Sequence, residues 1–317
     1  MRYTDIDGVR VSKIVFGTTY LGSDIPDEQS FELMDTYLRL GGNCLDTARA
    51  YNLYVGAYGV DQSERCLGLY MEARKNREQI VLSTKGGHHT GEGTRPRLDR
   101  PTLTADFERS LELLRTDHVD IYWLHRDDLE RPVGEMLESV EDFLERGWTR
   151  TVGASNWTVE RMEEARVYAE THGLHGFSAA QIQWSLAVTE PERLNDSTLV
   201  CMRSHEMDWF APKHFPIFAF SAQAKGFFSK YLAGDELNPK LRRRYDTPEN
   251  RALAEKVRVV ADKHGINPTA VALHFVLDNR LPACGIVGCT SVRQMEDTLS
   301  SADFILPPED VRFLRTL

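Results

Sequence analysis

The chain has 317 residues, of which 41% are apolar, and a formal net charge of −10. That length suits an α/β barrel with insertions, whereas an acidic chain without a long apolar run lacks the basic face for nucleic acid and a span for a membrane. We therefore expect neither partner. The five cysteines are odd in number and contain no CxxC pair, and the first residues do not resemble a signal peptide. This pattern predicts free, buried thiols in a reducing, cytoplasmic setting.

Strand and helix patterns alternate along the chain. Alternating residues around Asp7-Gly8 predict an N-terminal β-hairpin over residues 2–14. The eight candidate strands that follow are 13–17, 43–46, 80–84, 119–124, 150–154, 179–184, 216–220 and 283–287. Candidate helices start near positions 28, 63, 104, 133, 158 and 268. Strict alternation predicts a (β/α)8 TIM barrel, as one domain over residues 1–317, with long loops at 86–103, 186–215 and 222–248.

Four polar residues stand where predicted strands end. Asp46 and Lys85 end the second and third barrel strands, His125 follows the fourth, and Tyr51 lies five residues after Asp46. Each residue alone also fits a purely structural role. Asp46 suits a turn, Tyr51 an aromatic residue at the rim, Lys85 a solvated lysine and His125 a structural histidine. Because the carboxyl ends of parallel barrel strands meet at one face, their coincidence instead predicts an active site.

These side chains suit the protonation of a carbonyl oxygen. An ammonium beside a phenol lowers the phenol pKa, a carboxylate holds the ammonium, and an imidazole donates a hydrogen bond to the substrate oxygen. The set contains no nucleophile–base pair and no metal-ligand spacing. A nicotinamide hydride is therefore the natural group to attack the carbonyl carbon.

Six short segments, in this order, resemble the aldo-keto reductase family over almost the whole chain. They are Asp46-Thr-Ala-x-x-Tyr51, Ser83-Thr-Lys85, Asp120-Ile-Tyr-Trp-Leu-His125, Gly153-Ala-Ser-Asn156, Gln181-Ile-Gln-Trp184 and Ile286-Val-Gly288. The resemblance implies an NADP- or NAD-dependent barrel that reversibly reduces an aldehyde or ketone. It also implies that Tyr51 is the general acid in reduction and the general base in oxidation, with Asp46, Lys85 and His125 completing the tetrad.

The cofactor prediction rests on the resemblance, because no GxGxxG segment opens a helix after a strand and Gly91-Glu-Gly93 is followed by Thr-Arg-Pro. The dinucleotide is expected to lie extended across the barrel mouth. The implied contacts are Gly17, Thr18, Asp46, Ser155, Asn156, Gln181, Phe220, Ser221, Gln223, Lys225, Arg243, Gly288, Thr290, Gln294, Asp297 and Thr298. Sequence alone leaves alternatives: a helix cap for Ser155-Asn156, a core residue for Phe220, and solvated surface for Lys225 and the basic run that contains Arg243.

The choice between NADP and NAD depends on the segment after the last strand. Many relatives place lysine or arginine near Gly288 or Thr290 to pair the 2′-phosphate, and this chain has neither there. The Thr290 hydroxyl and the N-terminus of the next helix could accept that phosphate instead. We predict NADP(H), with NAD(H) as the alternative.

The substrate prediction names Thr19, Tyr51, His88, His125 and Trp157. The polar stretches 86–90 and 126–128 predict a hydrogen-bonding rim that suits a sugar or polyol better than a steroid. The adjacent histidines 88 and 89 point apart without a third ligand, so no metal site is predicted. Two other classes stay open: a nicotinamide-binding regulatory subunit with slow turnover, and a cofactor-free barrel aldolase or isomerase that uses Lys85 as a Schiff base.

Overall fold

The structure, a computed structural model, describes residues 1–51, 53, 59–89 and 97–315. Its strands are β1 Tyr3–Ile6, β2 Val9–Ser12, β3 Ile14–Gly17, β4 Cys44–Asp46, β5 Val81–Gly86, β6 Val119–Leu124, β7 Thr149–Ser155, β8 Ala179–Gln183, β9 Ile217–Phe220 and β10 Ala283–Val287. Strands β3 to β10 pair in parallel and close into a barrel, with β10 beside β3. The predicted (β/α)8 fold is confirmed.

Helices surround the barrel. They are α1 Asp27–Arg39, α2 Gln62–Arg74, α3 Arg100–Leu114, α4 Val133–Glu145, α5 Val159–His172, α6 Pro191–Leu194, α7 Ser204–Phe210, α8 Phe227–Ala233, α9 Pro239–Tyr245, α10 Pro248–His264, α11 Pro268–Leu277, α12 Val292–Leu299 and α13 Pro308–Arg315. Among the described residues, no helix is long and apolar enough to cross a bilayer.

The N-terminal hairpin covers the end of the barrel where the strands begin. Asp7 and Gly8 both have positive φ, 54° and 78°, which is the backbone of a two-residue hairpin turn. The apolar side chains of the hairpin pack against interior residues of the barrel. The Asp7 carboxylate accepts hydrogen bonds of 3.0 Å from Thr151 and from Ser178, at the start of β7 and just before β8. The predicted hairpin is therefore confirmed, and it closes this end of the barrel.

The long connections carry short helices. Residues 186–215 contain α6 and α7, and residues 222–248 contain α8 and α9, where loops were expected. The start of α9 shows why, since the side chain of Asn238 accepts a hydrogen bond from the Leu241 amide and Pro239 occupies the first turn. Part of the third connection, 90–96, lies outside the described residues, and with it the Gly91-Glu-Gly93 segment.

The barrel interior beneath its open end is filled by the indole of Trp123, which is fully buried. A Cβ atom on Gly153 of the neighbouring strand would come within 2.4 Å of that ring, so only glycine leaves room for it. The indole Nε1 donates to the Ser83 hydroxyl at 2.7 Å. This contact holds the Ser83 side chain in place directly above the packed core.

Candidate active site

Three of the four predicted tetrad residues lie at neighbouring strand ends, and the fourth, Tyr51, lies in a turn after β4. Asp46 is the last residue of β4, Lys85 lies near the end of β5, and His125 directly follows β6. The Lys85 ammonium donates to Asp46 Oδ2 at 2.7 Å and to the Tyr51 hydroxyl at 2.8 Å. The Tyr51 hydroxyl lies 2.8 Å from Asp46 Oδ2, to which it donates. The structure thus brings a phenol, an ammonium and a carboxylate into mutual contact.

The Asp46 carboxylate is held in place from two further sides. Its Oδ1 atom accepts hydrogen bonds from the Ser83 hydroxyl at 2.9 Å and from the Gln181 amide at 3.1 Å. The Lys85 ammonium makes a third bond, to the carbonyl oxygen of Thr47 at 2.8 Å. Because Asp46 and Lys85 are almost fully buried, these bonds replace the water that each charge has lost.

The surroundings shift the pKa of each group. Burial, together with the Asp46 carboxylate, raises the pKa of Tyr51 well above its ordinary value. This direction is opposite to the expectation that Lys85 lowers it, because desolvation and a neighbouring anion dominate in the free protein. The phenol therefore keeps its proton at neutral pH. Burial also lowers the pKa of Lys85, against the raising influence of Asp46.

His125 is a neutral imidazole in these surroundings. Burial and the nearby cations and histidines hold its pKa well below the ordinary range. Among the residues that the structure describes, its buried Nδ1 atom has no hydrogen-bond partner, and its ring centroid lies 6.2 Å from that of Tyr51. A neutral imidazole carries one N–H, and an Nδ1 atom without an acceptor favours the proton on Nε2.

A cleft of about 980 Å³ runs from this group across the open end of the barrel. Its size falls within the range of cofactor sites. The described residues that line it include Asp46, Tyr51 and His125, and many of those predicted for the cofactor and substrate: Gly17, Thr19, Asn156, Phe220, Ser221, Gln223, Lys225, Gly288, Thr290, Gln294, Asp297 and Thr298.

Three predicted cofactor residues lie beneath the cleft surface. The Thr18 hydroxyl is buried and donates to the carbonyl oxygen of Asp46 at 2.9 Å. The Ser155 hydroxyl, also buried, accepts from the Asn156 amide at 3.0 Å, and Gln181 donates to Asp46. They position other side chains. The alternative of a cap at Ser155-Asn156 does not hold, because Thr158 itself caps α5.

Two predicted contacts lie away from the cleft. Trp157 is buried in the core, where its indole donates to the carbonyl oxygen of Arg126 at 3.1 Å. Arg243 is exposed on α9 and donates to the carbonyl oxygen of Arg193 at 3.1 Å. The next residue, Arg244, lines the cleft instead. Its position follows from helical spacing, since Leu241 and Tyr245 form the buried face of α9.

His88 borders a smaller pocket of about 120 Å³, which also contacts Lys85, Arg49 and Asp106. Its ring centroid lies 4.6 Å from that of His125. Burial lowers the pKa of His88 to about 4, so this side chain is uncharged at neutral pH.

A strap over the cleft, residues 194–201, was not foreseen from the sequence. Arg126 holds it, since its guanidinium donates to Thr198 at 2.9 Å and pairs with Asp196 at 3.1 Å. The same guanidinium donates to the carbonyl oxygen of His125 at 2.8 Å. Leu194 and Leu199 of the strap line the cleft, as do Gln183 and Tyr20.

A phenol and an ammonium joined by a hydrogen bond thus lie at the open end of a parallel α/β barrel, beside a cleft of cofactor size. Comparison with known proteins gives the family: residues 13–317 match the model of the aldo/keto reductase family. The chain belongs to that family and is an NAD(P)-dependent oxidoreductase.

Its relatives are distant but cover most of its length. The chain is similar to norsolorinic acid reductase of Emericella nidulans, with 28% identity over 96% of this chain and 77% of the relative. It is 26% identical to a Saccharomyces cerevisiae protein named as an aryl-alcohol dehydrogenase, over 98% and 84% of the two chains. It is also 26% identical to an uncharacterized oxidoreductase of Bacillus subtilis, over 100% and 96%.

Proposed function

We propose that the protein reduces an aldehyde or ketone to an alcohol, reversibly, with Tyr51 as the proton donor. The observation that carries this proposal is the Tyr51 hydroxyl, which contacts both Lys85 and Asp46 at 2.8 Å beside the cleft. Because its pKa is raised, the phenol is protonated and ready to donate. When the proton leaves, the Lys85 ammonium stabilises the phenolate that forms.

His125 orients the substrate in this proposal. Its ring borders the cleft and stands edge-on to the ring of Tyr51. With the proton on Nε2, the neutral imidazole donates a hydrogen bond to the carbonyl oxygen and, as charge builds there, stabilises it. Asp46 holds the ammonium that the phenolate needs.

The residues along the cleft fit a nicotinamide dinucleotide. Asn156 and Gln183 offer amide groups that match a carboxamide, and the ring of Phe220 offers a stacking surface. A Cβ atom on Gly17 would come within 2.7 Å of the Ile286 side chain, so a larger residue at position 17 would clash with the wall of the cleft. When bound, the reduced nicotinamide supplies the hydride that adds to the carbonyl carbon. We propose NADP(H) as the preferred cofactor.

We propose a polar carbonyl compound, such as a sugar aldehyde, as the substrate, on the basis of Arg126, Thr19 and the neutral imidazole of His125 in the cleft wall. A second candidate is an aryl aldehyde or ketone. Leu194, Leu199 and Tyr20 favour it, since they give the same cleft an apolar side. The name of one relative, an aryl-alcohol dehydrogenase, also supports this candidate.

The experiment compares sugar aldehydes with aryl aldehydes of similar size as substrates. The oxidation of NADPH or of NADH gives the rate with each aldehyde. The sugar proposal requires a higher kcat/KM for the sugars, and the aryl candidate requires the reverse order. If the protein bound the cofactor tightly but reduced none of these aldehydes, the result would favour a regulatory subunit that binds nicotinamide. The Schiff-base aldolase alternative is not supported, because the Lys85 ammonium is buried and hydrogen-bonded to Asp46, Tyr51 and Thr47.

We also propose a reducing, cytoplasmic location. All five cysteines are free and buried, as expected for a protein that forms no disulfides. Thiol titration of the denatured, freshly isolated protein should find all five as free thiols; a disulfide among them would contradict this location.

A further inference from the structure

One buried guanidinium, that of Arg126, connects His125 to the strap. It lies in the wall of the cleft and donates to the carbonyl oxygen of His125 at 2.8 Å. On the strap it donates to the Thr198 hydroxyl at 2.9 Å and to the Asp196 carboxylate at 3.1 Å. Because a guanidinium is planar and its donors point in fixed directions, these bonds set the position of the strap relative to the backbone of His125.

The bond to His125 restrains the backbone from which the imidazole projects. The His125 amide donates to the carbonyl oxygen of Gly86 at 2.9 Å, so both polar groups of its backbone are held. Among the described residues, Nδ1 of the ring has no hydrogen-bond partner, and the ring packs against that of His88. The direction of the imidazole therefore depends on its backbone and its packing. A donor has to be aimed accurately at the substrate oxygen to be effective.

The strap is attached to the barrel at two places by different contacts. Near its C-terminal end, the Val200 carbonyl oxygen accepts from the Gln183 amide at 2.9 Å. The Val200 amide donates to Asn156 Oδ1 at 3.2 Å. The middle of the strap is attached through the pair of Arg126 and Asp196. Removal of this pair would release the middle of the strap, whereas its C-terminal end would stay in place.

The segment that Arg126 holds lies between two apolar side chains of the cleft wall. Leu194 precedes it and Leu199 follows it, and both line the same cleft as Tyr51 and His125. When a carbonyl oxygen faces Tyr51 and His125, the substituents of the substrate have to fit beside this wall. One methylene group more or less in an apolar pocket changes kcat/KM about ten- to two-hundredfold, so the position of the strap matters for selection.

The positive charge of Arg126 also acts on the two side chains that face the substrate oxygen. Burial, followed by the charges of His88 and Arg126, holds the pKa of His125 well below its ordinary range. Burial and Asp46 raise the pKa of Tyr51, and Arg126 acts in the opposite direction. Arg126 thus favours a neutral imidazole and eases the loss of the phenol proton.

We propose that Arg126 is a positioning and specificity-determining residue, which aims the imidazole of His125 and fixes the width of the substrate cleft through the strap. This inference rests on the proposed carbonyl reduction. It adds to that proposal the element that selects the substrate: the gap between the imidazole and the wall formed by Leu194 and Leu199. A carbonyl compound whose substituent fills this gap is reduced in preference to one whose substituent does not.

The kinetic test measures kcat and KM for a sugar aldehyde and an aryl aldehyde with the wild type, Arg126→Gln and Asp196→Ala. Arg126→Gln removes the bond to His125 and both bonds to the strap, so kcat should fall about ten- to hundredfold. The ratio of the two kcat/KM values should also move towards 1. Asp196→Ala keeps the bond to His125, so the ratio should change in the same direction while kcat changes much less. The Asp196 side chain is 34% exposed, which makes this second variant unlikely to disturb folding.

Two further variants separate geometry from charge and from stability. Arg126→Lys keeps the charge, but a single ammonium cannot bind both sides at once, so it should behave like Arg126→Gln. Arg77→Gln is the matched control, because the Arg77 guanidinium donates to the Thr116 hydroxyl at 3.3 Å and to the Ile80 carbonyl oxygen at 2.8 Å. It also pairs with Asp120 at 3.1 Å, near the starts of β5 and β6. Arg77→Gln should keep the wild-type kcat and selectivity, and urea denaturation checks the fold of every variant.

Hydrogen–deuterium exchange reports the position of the strap without any substrate. Amides of residues 194–199 should exchange faster in Arg126→Gln, Arg126→Lys and Asp196→Ala than in the wild type, and at the wild-type rate in Arg77→Gln. Unchanged exchange in Arg126→Gln, wild-type kinetics in Arg126→Lys, or an equal loss of kcat in Arg77→Gln would overturn the inference. If the wild type reduced neither aldehyde, the proposed reduction would fail, whereas the exchange rates would still show whether Arg126 holds the strap.

Discussion

Replacing Tyr51 with phenylalanine removes a single oxygen atom from the point where Lys85 and Asp46 meet. Both neighbours lie 2.8 Å from that oxygen, and the ring that remains keeps its place beside His125. A positioned general acid contributes about a hundred- to ten-thousandfold in rate, which corresponds to about 3 to 5 kcal/mol of activation free energy. We expect kcat/KM for aldehyde reduction to fall by that factor while cofactor affinity is retained.

Steady-state NADPH oxidation gives the rate, and fluorescence titration gives the cofactor dissociation constant. Tyr70→Phe is the matched control, since its hydroxyl also donates to a carboxylate, Asp35 at 2.8 Å, away from the cleft. It should retain wild-type kinetics. If Tyr51→Phe turned over like the wild type while binding cofactor normally, the phenol would not be the proton donor and the reasoning from its contacts would fail.

Three further predictions concern buried side chains that can ionise. Lys85→Met leaves the Asp46 carboxylate without a cation and should lower the free energy of unfolding by about 3 to 5 kcal/mol, measured by urea denaturation; an unchanged midpoint would contradict it. Burial lowers the pKa of His88 to about 4, so stability should be lost as pH falls from about 6.5 towards 4, where the unfolded chain binds a proton first, and His88→Gln should flatten this acid branch of the melting temperature. Burial raises the pKa of Glu64 to about 7, so the free energy of unfolding should fall as pH rises from about 4.5 through 7. Relative to the wild type, Glu64→Gln should be more stable by up to about 3 kcal/mol at pH 8 than at pH 4. An equal effect of the substitution at both pH values would refute this.

The strands and the tetrad could be predicted because their signals are local. Each barrel strand is a short apolar run, and Asp46, Lys85 and His125 stand at or just beyond the end of one. Once the barrel closes, its topology alone brings those ends together. Residues from three separate parts of the chain were thus placed in one site without knowledge of any side-chain contact.

The strap and the cations after β9 were harder to predict, because they depend on how long connections fold back. Helix α6 has 4 residues and α9 has 7, too few for a clear amphipathic period. Among three consecutive arginines, only the register of α9 decides that position 244 and not 243 meets the cleft. The Leu241–Tyr245 spacing carried that information.

The direction of the Tyr51 pKa was also beyond the sequence. The sequence predicts that Lys85 and Asp46 lie near the phenol, but it does not give the desolvation, which together with the Asp46 carboxylate raises the pKa of Tyr51. Trp157 shows the same limit, since an aromatic residue after a strand can point to the core or to a ligand. Burial is a property of the assembled barrel and cannot be read from local spacing.

The hairpin closes the end of the barrel where the strands begin, so the active-site cleft opens only at the other end. Substrate, cofactor and solvent protons all have to enter and leave from the rim, where Tyr51 and the strap lie. The Met1 ammonium is on the opposite side, paired with Asp303 at 2.5 Å. An immobilised enzyme tethered through its first residues would therefore face its supporting surface with the sealed base and keep its rim open to the medium.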